Sequence, residues 1–301
     1  MKKSTIPICV ILLMSLTSCI KELPFDPDIE ASKLVINSYF SSDSLWEVRL
    51  TQSRSVVDTS SFDLVQNGVV NIRDGNGNLV TSLTDQGEGL FSSATEFPQT
   101  GTTYRIEASA PGFETVSAED RLPSTFQILS FDTLTTWFQD SSRTMEFEIT
   151  FQDPPGEENF YEIGFFREFE VYNFFEEDTS IVYAPFPFNC TDPNIETTQE
   201  VEDALENLFD RVWLPDATFD GEIYTIKFTL PRSILDDPFE RDANLVFANG
   251  SEAYFLHRKS QITADIANGN PFAQPVQVYT NIEGGYGIFA GRDKLSWLIN
   301  L

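Results

Sequence analysis

A period of two, repeated in short runs, most narrows what this chain can fold into. Trp46-Glu47-Val48-Arg49-Leu50-Thr51 alternates apolar and polar side chains, and so does Met145-Glu146-Phe147-Glu148-Ile149-Thr150-Phe151. Such alternation sets one face of an extended segment against a core and the other in water, the mark of a half-buried strand. Segments 33–40, 101–110, 116–119 and 222–230 read as strands too. Val69 to Asp74 and Leu79 to Leu83 flank Gly75-Asn76-Gly77-Asn78. Asn-Gly between alternating runs predicts a hairpin turn, because both residues tolerate positive φ. The other reading is a calcium loop through Asp74, Asn76, Asn78 and Asp85, but Leu79 stands where such a loop needs its glycine. Short strands with regularly spaced turns predict an all-β sandwich over 33–123. A second β-rich domain with one or two helices is expected over 124–301.

That second half reads less evenly. Segment 153–159, Asp-Pro-Pro-Gly-Glu-Glu-Asn, is a loop. In the aromatic run 160–175, Ile163, Phe165, Phe169 and Val171 share a core-facing side. Phe166, Glu168, Glu170, Tyr172 and Phe174 lie opposite, packed on a neighbour or presented as a ligand platform. Segment 178–198 reads as irregular. Val201, Leu205, Leu208 and Phe209 have helical spacing within 200–209. The strongest helix covers 252–268, with Ser251 as N-cap, Phe255, Ile262 and Ile266 as its apolar stripe, and Gly269 after its end. A strand at 276–279 leads into Asn281-Ile282-Glu283-Gly284-Gly285-Tyr286-Gly287-Ile288-Phe289, where three glycines in four positions demand tight backbone geometry.

The first nineteen residues speak to location. Lys2 and Lys3 precede an apolar run at 6–14, shorter than the roughly 20 residues of a membrane span. Leu16-Thr17-Ser18-Cys19 follows. Charge, short apolar core and small residues make 1–18 a secretory signal peptide. Leu-Thr-Ser-Cys resembles a bacterial lipobox, which makes Cys19 the lipid attachment site. The alternative is an ordinary signal peptide with a chance Cys. Residues 19–32, with Pro24, Pro27 and no apolar period, read as a tether.

The formal charge is −28, from 19 basic and 47 acidic residues. Such a surface repels phosphate backbones, so no nucleic-acid partner is expected. Twenty-seven Phe, nine Tyr and four Trp argue for packed cores over disorder. With Cys9 in the signal and Cys19 lipidated, Cys190 is left, either a buried thiol or an intermolecular bridge.

No catalytic constellation stands out, and no cofactor or metal site is expected. His257 is the sole His and no Gly-x-Ser-x-Gly elbow, HExxH or P-loop accompanies it. A glycosidase would need only two placed carboxylates, and nothing selects a pair. Trp46, Trp137, Trp213 and Trp297 offer aromatic platforms for a surface glycan-binding protein, against which stands the usual burial of such rings. Asp43-Ser44-Leu45 and Asp132-Thr133-Leu134 resemble Bacteroidetes O-glycosylation sequons at Ser44 and Thr133, or are plain loop sequence.

The order of these pieces carries a resemblance. The lipobox is followed by Leu34-Val35-Ile36-Asn37, the sandwich closing at Leu122-Pro123, the 153–159 loop, Phe219-Asp220-Gly221, the helix, Asn270-Pro271-Phe272-Ala273-Gln274-Pro275-Val276, and the 281–289 run. This resembles a Bacteroidetes family of outer-membrane lipoproteins, domain of unknown function 4249, over nearly all of the mature chain. The first half is similar to Ig-like and carboxypeptidase-regulatory-like sandwiches. The resemblance implies a non-catalytic accessory or substrate-capture partner of a TonB-dependent outer-membrane receptor. It implies lipid anchoring in the outer membrane, facing the cell surface or the periplasm. Asn281, Glu283, Gly284, Gly285 and Tyr286 form the candidate partner-facing loop; a buried tight turn is its plainer reading.

Overall fold

The computed structural model describes residues 31–55, 64–137, 143–173, 178–197, 208–230, 242–270 and 272–300. The chain is mainly β, with one helix among the described residues. The first strands are β1 (Leu34–Phe40), β2 (Glu47–Gln52), β3 (Val69–Asp74), β4 (Leu79–Gly87), β5 (Leu90–Ser92), β6 (Thr102–Ser109) and β7 (Val116–Leu122). The alternation seen in sequence becomes burial: Val48 and Leu50 of β2 are inside, Glu47 and Arg49 outside. The hairpin between β3 and β4 closes as expected, with Gly77 at φ +84°. The Asp74 carboxylate accepts from the Asn76 and Asn78 backbone N–H groups and from Asn78 Nδ2, which commits it to the turn.

Strand β4 pairs with β3 through its first half and with β5 through its second, with a register shift between Asp85 and Gly87. One bent strand thus carries the sheet around a sandwich corner. The enclosed core runs from Leu34 to Leu122 and takes in Ile282 and Phe289 from the far end of the chain.

The remaining strands are β8 (Gln127–Trp137), β9 (Arg143–Gln152), β10 (Phe160–Asn173), β11 (Asp178–Phe186), β12 (Phe188–Cys190), β13 (Leu208–Phe209), β14 (Val212–Pro215), β15 (Ile223–Leu230), β16 (Asp242–Gly250) and β17 (Tyr286–Asn300), with helix α1 (Glu252–Asn268) between the last two. Strands β13-β12-β15-β9-β8 form a five-stranded sheet. The larger sheet runs β11-β10-β16-β17-β1-β2-β5-β4-β3-β6-β7, with β14 on β10. A second core, from Phe126 to Phe247, draws on both sheets.

Strand β17 joins the two halves. Its first residues pair in parallel with β1, Val35 with Tyr286 through Phe40 with Gly291. From Arg292 onward it pairs antiparallel with β16. A single 15-residue strand therefore serves both sandwiches.

Four expectations need correction. Segment 178–198 is not irregular: Asp178 to Phe186 pairs with β10 over nine positions, and Pro185 is tolerated because β11 lies at the sheet edge. Segment 276–279 is not a strand; its backbone bonds to the helix instead, the Tyr279 carbonyl accepting from His257 Nδ1 (2.6 Å) and the Tyr279 N–H donating to Ser260 Oγ (2.8 Å). The buried face of α1 is Ala253, Tyr254, Phe255, His257 and Ala264. Ile262 is half-buried and Ile266 is 53% exposed, because α1 rests on Ile288 and Ala290 of β17 through its first turn. Ser251 caps α1 as expected, its Oγ accepting from the Tyr254 N–H. Of the helix expected at 200–209, residues 200–207 lie outside the described residues, and Leu208–Phe209 are strand β13.

Candidate functional site

The 281–287 loop feeds β17 into the seam between β1 and β7. Asn281 Nδ2 donates to the Phe289 carbonyl oxygen (2.8 Å), and its Oδ1 accepts from the Phe289 N–H (3.1 Å), so the side chain acts like a short length of paired strand. Glu283 pairs through its backbone with Ser117 of β7, and its carboxylate accepts from Ser117 Oγ (3.2 Å). Gly284 and Gly287 have φ of +77° and +101°. A Cβ on Gly285 would strike the Leu34 carbonyl oxygen, and one on Gly287 the Ile36 backbone. The glycines therefore answer a packing need. Glu283 and Tyr286 remain on the surface, the latter 41% exposed with Lys33 Nζ 5.2 Å from its ring centre.

Two carboxylates, the half-buried Asp120 and the buried Glu162, tie the elements around β17 together. Asp120 Oδ2 accepts from Ser251 Oγ (2.5 Å) and from the Gly291 N–H (2.8 Å), joining β7, the start of α1 and β17. Burial pushes its carboxyl up to about 6 against these bonds. Glu162 of β10 meets Arg211 Nη1 (2.9 Å) and Arg292 Nη2 (3.1 Å) and accepts from Tyr254 OH (2.5 Å). Burial works to raise the Glu162 carboxyl, but Arg292 and Arg211 outweigh it and hold it below the usual range. His257 is buried, and burial pushes its imidazole down, which keeps it neutral against the Tyr279 carbonyl.

A further carboxylate cluster, not anticipated from sequence, closes the end of the second core. Asp153, Asp216 and Asp220 bring one oxygen each within 4.8 Å of one another. Asp153 accepts from Tyr161 OH (2.5 Å) and the Gly221 N–H (2.8 Å). Asp216 accepts from the Asn159 N–H and Nδ2, and Asp220 from the Gly156 N–H. Burial, with Asp216 and Asp220 nearby, lifts Asp153 to about 6. Three carboxylate oxygens suit a hard cation such as calcium, which takes 6–8 oxygens. The donors already present also satisfy these groups as a loop latch. The sequence signal was there in Asp153-Pro154 and Asp220-Gly221, two turn-forming acidic pairs that fold together.

Other candidate residues are scattered. Cys19 lies outside the described residues. Ser44 is exposed in a turn, and Thr133 is exposed on β8. Cys190 is a buried free thiol, raised by burial to about 11. Trp46 and Trp213 are fully buried and cannot serve as sugar platforms; Trp297 is half-buried and stacked on Phe131. The side chain of Trp137 lies outside those described. Among the described residues, no helix is long and apolar enough to cross a membrane.

A family model described as "Domain of unknown function (DUF4249)" matches residues 20–296. No curated protein matches the chain.

Proposed function

From the premise that the chain belongs to the DUF4249 family, we propose that it is a lipid-anchored, non-catalytic outer-membrane protein that docks on a TonB-dependent receptor and helps capture its substrate. The observation that carries the non-catalytic reading is how the reactive groups are spent. The sole His, the half-buried Asp120 and the buried carboxylates Asp153, Glu162 and Asp216 each bind a strand, loop or helix end of the protein itself. Anchoring is supported by Leu16-Thr17-Ser18-Cys19, with the family match beginning at the very next residue.

The receptor-facing surface is the exposed rim of the 281–287 loop, Glu283 and Tyr286, where an aromatic ring is set among polar groups. Pull-down from detergent-solubilised outer membrane tests this. Wild-type protein recovers a receptor, while Tyr286→Ala and Glu283→Ala recover less. Failure of the wild type to recover one defeats the partnership, and equal recovery by the variants removes this loop from it. Cys19→Ala releases the protein from the membrane fraction; its retention there defeats the anchor.

A further inference from the structure

We propose that the outer face of the five-stranded sheet is a binding trough for a neutral oligosaccharide. The face holds a cavity of about 410 Å³ spanning β8, β9, β15 and β12. Two rows of side chains line it. Asp132, Glu148 and Lys227 stand in register across three strands, and Leu134, Glu146 and Thr229 form the next row. Asp132 lies directly opposite Glu148. Like charges in that position work against the sheet. Among the described residues Lys227 is the one cation in the lining, and it is bonded to Glu148 (2.5 Å).

This chemistry narrows the ligand. Three carboxylates against one ammonium turn away phosphates, sulfates and acidic sugars. A basic peptide meets Lys227 at the β15 end of the row, where it already neutralises Glu148, the middle carboxylate. Among the described residues an apolar ligand finds only Leu134, 61% exposed, as a large aliphatic side chain on the trough. A polyol fits each group: its hydroxyls donate to Glu146 and Asp132, accept from Lys227 and Thr229, and lay a C–H face on Leu134. Hydroxyl bonds to carboxylates are charge-assisted and correspondingly strong. The trough thus takes the place of the buried Trp46 and Trp213 as the sugar-facing surface.

The proposal deepens the capture role above and rests on it for the protein's place in the cell. Binding is measured on isolated protein, so a failed pull-down and a failed glycan titration are separate results. The purified full chain is screened on an array of neutral, uronic-acid and sulfated glycans, with oligolysine as a basic competitor. The best neutral oligosaccharide is then titrated calorimetrically against wild type, Glu146→Gln and Thr229→Val, both outward-facing changes whose folding is checked by circular dichroism. Wild type binds a neutral glycan, and Glu146→Gln weakens binding about tenfold, the effect of losing one charge-assisted bond. Binding to no neutral glycan, preference for acidic glycans, displacement by oligolysine, or equal affinity in wild type and both variants overturns the proposal.

Discussion

Among the described residues, five of the nineteen clustered side chains in the first core are aromatic, and the rest are Val, Ile, Leu and Ala. In the second, ten of the nineteen described are Phe or Tyr, packed largely edge to face, as Phe126, Phe151 and Tyr161 are against their neighbours. Polar burial divides the same way. Strands β1–β7 and their loops bury Ser38 and Ser93, whereas residues 153–257 bury Asp153, Asn159, Glu162, Asp216, Asn249, Ser251 and His257. Tyr161 shows why the two properties go together. Its ring fills the aromatic core, and its hydroxyl reaches the Asp153 carboxylate at the core's edge. An aliphatic core can end in a simple turn. A core of rings with polar tips needs partners for them, and the loop carboxylates supply these.

The seam shared by both cores is where the largest loss is expected. Gly287→Ala sets a Cβ against the Ile36 backbone at positive φ and lowers stability by about 4 kcal/mol or more, read by urea denaturation or by failure to purify folded protein. Next, Glu162→Gln leaves Arg211 and Arg292 facing a neutral group and costs about 3 kcal/mol in the same assay; a neutral result would mean the buried charges of the second half are dispensable. Matched Tyr→Phe changes then compare the cores directly. Tyr161→Phe removes a bond to a carboxylate and costs about 2 kcal/mol, while Tyr104→Phe removes a bond from the Gln99 N–H and costs about 1 kcal/mol. Equal losses would erase the distinction.

The pH dependence follows from Asp120 and Asp153, whose folded-state carboxyls both titrate near 6, above their unfolded values. Their protonated forms favour the fold, so this stability is full below about pH 4 and is lost as pH rises through 6. His257, depressed by burial, works in the opposite direction, losing stability as pH falls below its unfolded value. Asp120→Asn keeps an oxygen to accept from Ser251 and Gly291 and removes one titration, so its melting temperature changes less between pH 5 and 7.5 than that of wild type. The smallest effect is at Phe272, 94% exposed, where Phe272→Ser shifts stability by less than about 0.5 kcal/mol.

What was legible in the sequence tracks the same division. The strands of the first half were readable because each buries one face, so alternation marks them. Helix α1 was readable from its Ser251 cap and its end at Asn268. Strand β11 was hidden because its order comes from pairing with β10, and Pro185 disguised it. The Asp153, Asp216 and Asp220 cluster was hidden because its members meet only when two loops some sixty residues apart in sequence converge, as the Gly221 N–H bond to Asp153 shows. The trough was hidden for a related reason: outward residues of a strand read simply as solvated, and only register brings Asp132 beside Glu148.

The parallel pairing of the first strand with the last has a kinetic consequence. Contacts between distant parts of a chain are slow to form, since the intervening loop must close before they reward it. Strand β1 is synthesised early yet has β17 as its neighbour on one side, and β16 waits for the same partner. Until β17 arrives, both halves carry an open edge, the kind of surface that pairs wrongly with other chains. A chain built this way keeps the two halves of its larger sheet apart until β17 is made, and only then are both edges covered.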